Sequence, residues 1–139
     1  MSAYNKIAGA IDFLMEGINA GTDQWAFALT NSAPAGTTFT PGTSDLATGG
    51  GYTQGGNNVA TTSSSEAAGT YKLILAAPAV WTASGVGFTF RYVTLVNATN
   101  SIQVGYWDNN GGSAIVMNGA NGDTFTFTPD AVNGVFTVT

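Results

Sequence analysis

The sequence has no histidine and no cysteine among its 139 residues, and its only basic residues are Lys6, Lys72 and Arg91. Each absence removes a class of function. Proton transfer near neutral pH usually falls to histidine, and covalent catalysis to a serine, cysteine or lysine activated by a neighbouring base. Transition-metal sites draw on histidine and cysteine. Phosphate backbones are held by lysine and arginine, and three dispersed cations do not supply that, so direct nucleic-acid binding is excluded. No apolar run approaches the roughly 20 residues of a membrane-spanning helix, and no membrane partner is expected. Met1-Ser2-Ala3-Tyr4-Asn5-Lys6 lacks a basic segment followed by an apolar one, so it does not read as a secretory leader, and synthesis and folding in the cytoplasm are expected. Without cysteine there is no disulfide framework, and the compartment is not defined by redox chemistry.

Charge of either sign is scarce. Charged residues make up 8% of the chain, against about 25% in ordinary soluble domains. The net charge is −5, from eight scattered acids with no run of like charge. A surface this poor in charge must expose hydroxyl, amide and glycine groups or be hidden in an assembly, so an oligomer or docked subunit is expected. What the chain does hold is 44% hydrophobic residues, 19 glycines and long Ser/Thr/Asn stretches, within a length that fits one domain, residues 1–139.

One segment reads as helix. Tyr4, Ile7, Ala8, Ile11, Leu14, Met15 and Ile18 follow a three-four spacing over Ala3–Ile18, so residues 1–21 are expected to form a short N-terminal helical segment or arm. Gly9 and Gly17 each cost about 1 kcal/mol relative to alanine, so the helix must dock its stripe on something. From Asp23 onward the chain reads as β. Trp25, Phe27 and Leu29 alternate with smaller or polar residues. Residues 35–65, with Gly49-Gly50-Gly51, Gly55-Gly56 and the run Thr61–Ser65, read as a long surface excursion with short irregular strands, suited to contact with a neighbour. Strands are expected over Thr70–Ala76, Val80–Thr82, Phe88–Asn97, Ile102–Trp107, Ala114–Met117, Asp123–Thr128 and Val135–Thr139. Phe88–Asn97 is the strongest, and the apolar character of both faces of its second half places it centrally. Asn133-Gly134 is a hairpin signal. The fold class is therefore mainly β: an antiparallel β-sandwich or jelly-roll-like barrel of about eight short strands with one short N-terminal helix.

No motif points to chemistry. Asp108-Asn109-Asn110-Gly111 begins like a calcium loop, but Met117 stands where the closing bidentate glutamate belongs, so it reads as a turn. Asp123 and Asp130 bracket one strand, too far apart for a glycosidase pair, which needs roughly 5–9 Å. The glycine run Gly49–Gly56 has no lysine and no following helix, so it is no phosphate loop. Trp25, Trp81 and Trp107 read as core or interface rather than a sugar-stacking platform, with Trp107 the most exposed of the three. Arg91, a lone cation in a strand, is expected in a structural salt bridge within or between subunits. No catalytic residue, metal or cofactor is expected. Tyr4, Ile7, Ile11, Leu14, Tyr52, Arg91 and Trp107 are the residues expected at subunit contacts.

Several stretches, in order, resemble a family of small virion proteins from tailed bacteriophages. They are Tyr4-Asn5-Lys6-Ile7, Ala28–Pro34, Gly51–Gly56, Gly69–Leu73, Phe90-Arg91-Tyr92-Val93 and Asn133–Val138. The resemblance covers nearly the whole chain and implies a capsid cement, or decoration, protein: a β-rich subunit on an icosahedral head. It implies the major capsid protein as partner, a homo-oligomer with a trimer favoured, and a place on the virion surface. It brings no catalytic residues. A tail or fibre β-domain that binds host glycans is the alternative, and a small glycanase the least compatible reading.

Overall fold

The computed structural model describes residues 3–10, 13–109 and 112–139. Among them are twelve strands: β1 (Tyr4–Lys6), β2 (Trp25–Thr30), β3 (Asn57–Val59), β4 (Thr61–Ala67), β5 (Thr70–Leu75), β6 (Trp81–Thr82), β7 (Phe88–Phe90), β8 (Tyr92–Asn97), β9 (Ile102–Asp108), β10 (Ile115–Met117), β11 (Thr124–Phe125) and β12 (Phe136–Val138). All pairings are antiparallel. A five-stranded sheet runs β1-β9-β8-β2-β3, a three-stranded sheet runs β12-β5-β4, and two ribbons pair β10 with β7 and β11 with β6. The fold is mainly β and sandwich-like, and the described strands form no closed barrel.

The strand β2 shows why the sheet sits where it does. Trp25, Phe27 and Leu29 enter the main core, while Ala26 and Ala28 face the other side and meet Phe39 and Val96 in a second apolar cluster. Both faces are thus covered. β8 lies between β2 and β9 and is buried along its whole length, as its apolar pattern requires. Trp25 satisfies its indole by donating from Nε1 to the Ala20 carbonyl at 2.9 Å, and its ring centroid lies 6.0 Å from that of Phe136 in β12. Through this contact the two larger sheets share one core.

The N-terminal segment departs from the helical reading. Tyr4–Lys6 pairs with β9 as an edge strand, Gly9 turns the chain at φ 83°, and helical structure is described only as a single π-type turn at Phe13–Gly17 beyond the helical residue Ala10. An open sheet edge offers Tyr4–Lys6 backbone partners that a glycine-weakened helix does not match, so tertiary pairing overrides the local period. Three further expectations change. The stretch Phe88–Asn97 divides at Arg91, whose amide donates to the Thr30 carbonyl at 3.0 Å, giving β7 and β8. The hydroxyl run Thr61–Ser65 belongs to the seven-residue strand β4 rather than to a loop. Asn133-Gly134 does not join two paired neighbours, because β11 pairs with β6 and β12 with β5.

Candidate interaction site

Every described carboxylate that makes a side-chain bond spends it on the fold. Asp23 accepts from the Asn19 amide and from the side chains of Asn97 and Asn100 at 2.9–3.0 Å, closing the β8–β9 turn against the start of β2. Asp130 accepts from the Val132 and Asn133 amides, both at 2.8 Å, and these bonds hold its carboxyl below the ordinary range. Asp123 accepts from the Asn118 amide at 2.8 Å, and Glu66 from that of Gly69. Among the described residues no three acids lie together in a way that could hold a metal ion. No described helix is long and apolar enough to cross a membrane.

Among the described acids Asp45 is the buried one. Its carboxylate accepts from the Gly42 amide at 2.7 Å, the Gly55 amide at 2.6 Å and the Tyr52 hydroxyl at 2.6 Å. The same hydroxyl accepts from the Leu29 amide at 3.1 Å, just past the point where β3 stops pairing with β2. Leu46 completes the patch by donating to the Leu29 carbonyl at 2.9 Å. Residues 40–56 are therefore bolted to the sheet edge, and Tyr52 is 1% exposed. Burial, and then the Asp45 bond, push the Tyr52 phenol far above its usual value.

The residues expected at subunit contacts separate into two groups. Ile7, Tyr52 and Trp107 are core residues of their own chain, which corrects their placement at a surface. Trp107, expected to be the most exposed tryptophan, is 4% exposed, with ring centroids of Tyr4, Phe27 and Phe127 within 5.9 Å of its own. Tyr4 is half-buried, and its hydroxyl donates to the Val104 carbonyl at 3.0 Å. Its ring fills the space that a side chain at Gly105 would occupy. Leu14 is half-buried and lines an open groove of about 420 Å³ with Ile18, Tyr71 and Phe136. Arg91 makes the expected salt bridge within the chain, a two-pronged pair to Asp108 at 3.0 and 2.8 Å, with the guanidinium 4.8 Å from the Tyr92 ring centre. That pair holds the Asp108 carboxyl below its ordinary range. Ile11 lies outside the described residues.

Neither the N-terminal segment, expected as a helix or arm, nor the 35–65 excursion, expected to contact a neighbour, is detached from the body. Ile7 and Ala10 are buried in the first, Phe39 and Tyr52 in the second. The open surface consists instead of grooves and loop ends. One groove, of about 460 Å³, lies over the second apolar cluster between Phe39 and Val96 and is edged by Gln54, Asn57, Asn58 and Ser101. Nothing that lines it carries a charge. A second feature escaped the residue-by-residue reading. Residues 46–65, 73–90 and 109–122 each lack Asp, Glu, Lys and Arg, and the fold brings loops from all three runs together. Residues 24–44 and 92–107 are also free of charge, so the spacing of the charges does not single out these three runs; only the packing shows that they meet. No family model, no curated protein and no solved structure matches this chain.

Proposed function

We propose that this chain is a non-enzymatic structural protein of a virion, a bacteriophage capsid cement subunit that binds the assembled head. The observation that carries the reading is the use of its few polar groups: the described carboxylates with side-chain bonds hold turns, a sheet edge or one arginine, and none is left poised in a cleft. The sequence resemblance and the low charge support the same reading. A cement protein that binds only the finished lattice turns its binding free energy into shell stability by mass action. That task needs a stiff body and complementary surfaces, not titrating groups. The partners on this reading are the major capsid protein and further copies of the chain, with a trimer favoured.

The alternative, a tail or fibre module for host glycans, draws support from the uncharged, amide-edged groove at Gln54, Asn57 and Asn58. The three tryptophans give it none, because all are buried. Mixing the purified protein with emptied heads and scoring co-sedimentation and head disruption temperature separates the two. Binding with a raised disruption temperature supports cement. Protein that stays in the supernatant but retains soluble host glycan refutes it in favour of the fibre module.

A further inference from the structure

Loops from residues 46–65, 73–90 and 109–122, three of the stretches without charge, meet in the fold. Gly50 lies so close to the carbonyl of Gly87 that any side chain there would collide with it, and Gly87 lies in the same way against the carbonyl of Met117. Gly119 is pressed on the backbone of Ser84 and Gly85, and the Ser84 amide donates to the Gly50 carbonyl at 2.9 Å. Loops from residues 46–56, 84–87 and 117–122 thus stack backbone on backbone, a packing that only glycine permits. The stack holds Val86 96% exposed at the tip of its turn, and Val116, beside Met117 in β10, is 72% exposed. Four acids end these runs: Asp45 is buried, half-buried Asp123 is bonded to the Asn118 amide, Asp108 is paired with Arg91, and exposed Glu66 accepts from the Gly69 amide.

We infer that this loop stack is a self-association surface, on which a second copy of the chain packs with Val86 and Val116 at the contact. The occupant follows from charge. The chain carries eight acids against three bases, so two copies repel at long range. About a rotation axis residues near the axis meet their own counterparts, and an acid there would face itself. An uncharged patch is where a net-acidic chain approaches its own copy at least electrostatic cost, and depletion of charge is the mark of an interface core. Rigid loops add to this, because little conformational freedom is lost on contact. The inference deepens the oligomeric part of the function proposed above and does not depend on the shell.

Light scattering on the eluting peak of a sizing column, with sedimentation equilibrium, tests it on the full chain without heads. The wild type is expected to run as an oligomer at micromolar concentration. Val86→Asp and, separately, Val116→Asp should weaken association at least about a hundredfold, as a repeated like charge at a contact does, with unchanged circular dichroism. Val132→Asp, at a valine 74% exposed in the turn beside Lys72, should leave the oligomer intact. A monomeric wild type, or an oligomer indifferent to both Val86→Asp and Val116→Asp, overturns the inference. If that same monomer co-sediments with heads, the cement reading stands without it. If the wild type forms the expected oligomer but ignores heads, the surface stands and the cement reading falls.

Discussion

Removing one oxygen from Tyr52 tests the central joint of the molecule. Tyr52→Phe leaves the ring and its packing against Phe88, 5.9 Å between centroids, but takes away the hydroxyl that joins Asp45 to the Leu29 amide. Two buried groups lose a partner. The bond to the carboxylate is a hydrogen bond to an ionised group, worth about 1.5–3 kcal/mol, and an orphaned buried amide costs about 1–3 kcal/mol. The carboxylate keeps the Gly42 and Gly55 amides, and no cavity larger than an oxygen opens, so the lower half of the combined range applies, about 2.5–4 kcal/mol. For a chain of this size about 1 kcal/mol corresponds to roughly 3–5 °C, so Tm should fall by about 8–20 °C. Urea unfolding followed by tryptophan fluorescence measures the free energy, because Trp25, Trp81 and Trp107 are all in the core. The double variant with Asp45→Asn should show strong coupling, since both changes act on one bond. A loss below about 0.5 kcal/mol, the size of an ordinary surface substitution, would refute the argument that this hydroxyl ties residues 40–56 to the sheet.

Further outcomes follow from the same contacts. Gly105→Ala places a methyl group where the Tyr4 ring lies and should destabilise by about 1–3 kcal/mol, while in a Tyr4→Ala background the loss should largely vanish; equal losses in both backgrounds would remove the ring from that site. Ile7→Ala should cost about 2–5 kcal/mol in chemical denaturation, because Ile7 is a core residue, and a negligible loss would restore the N-terminal segment as a detachable arm. Burial raises the phenol pKa of Tyr4 and Tyr52, so the unfolded chain ionises first. Their stabilisation is complete below about pH 10 and is lost as pH rises above it, and Tyr4→Phe should flatten that alkaline fall by up to one proton in the pH dependence of unfolding free energy. Arg91 lowers the pKa of Asp108, whose contribution is present above the ordinary carboxylate value and is lost as pH falls through the depressed one. Arg91→Gln should move the Asp108 titration, followed by carboxyl carbon NMR, upward to the ordinary range.

Much of the β architecture was legible from local pattern. The alternation Trp25-Phe27-Leu29 gives β2, and the two apolar faces of Tyr92–Asn97 give a strand between two others. The Asn97–Asn100 turn lies where the polar run ends that strand. The pairing of Arg91 was expected from its isolation, but its partner Asp108 was not, because Tyr92 and Asp108 meet only in the register of β8 with β9. Trp107 was misjudged for a related reason. Simple alternation puts Trp107 on the face opposite Val104, but β9 shifts register against β8 between Gln103 and Gly105, so both residues reach the same core, where Phe127 and Tyr4, one from each end of the chain, cover Trp107.

Composition alone removed histidine, cysteine and basic-patch chemistry, and the period-two pattern alone assigned the class. Both are properties of short stretches, set by which side chains exist and how they alternate. Only the tertiary structure decided that Tyr4–Lys6 is an edge strand, that Tyr52 and Trp107 are core, and that loops from three charge-free runs stack on one another. Those outcomes depend on what lies opposite a residue: the open edge of β9, the hollow over Gly105, the Leu29 amide left bare where β3 ends, and glycines that let loops remote in sequence stack backbone on backbone.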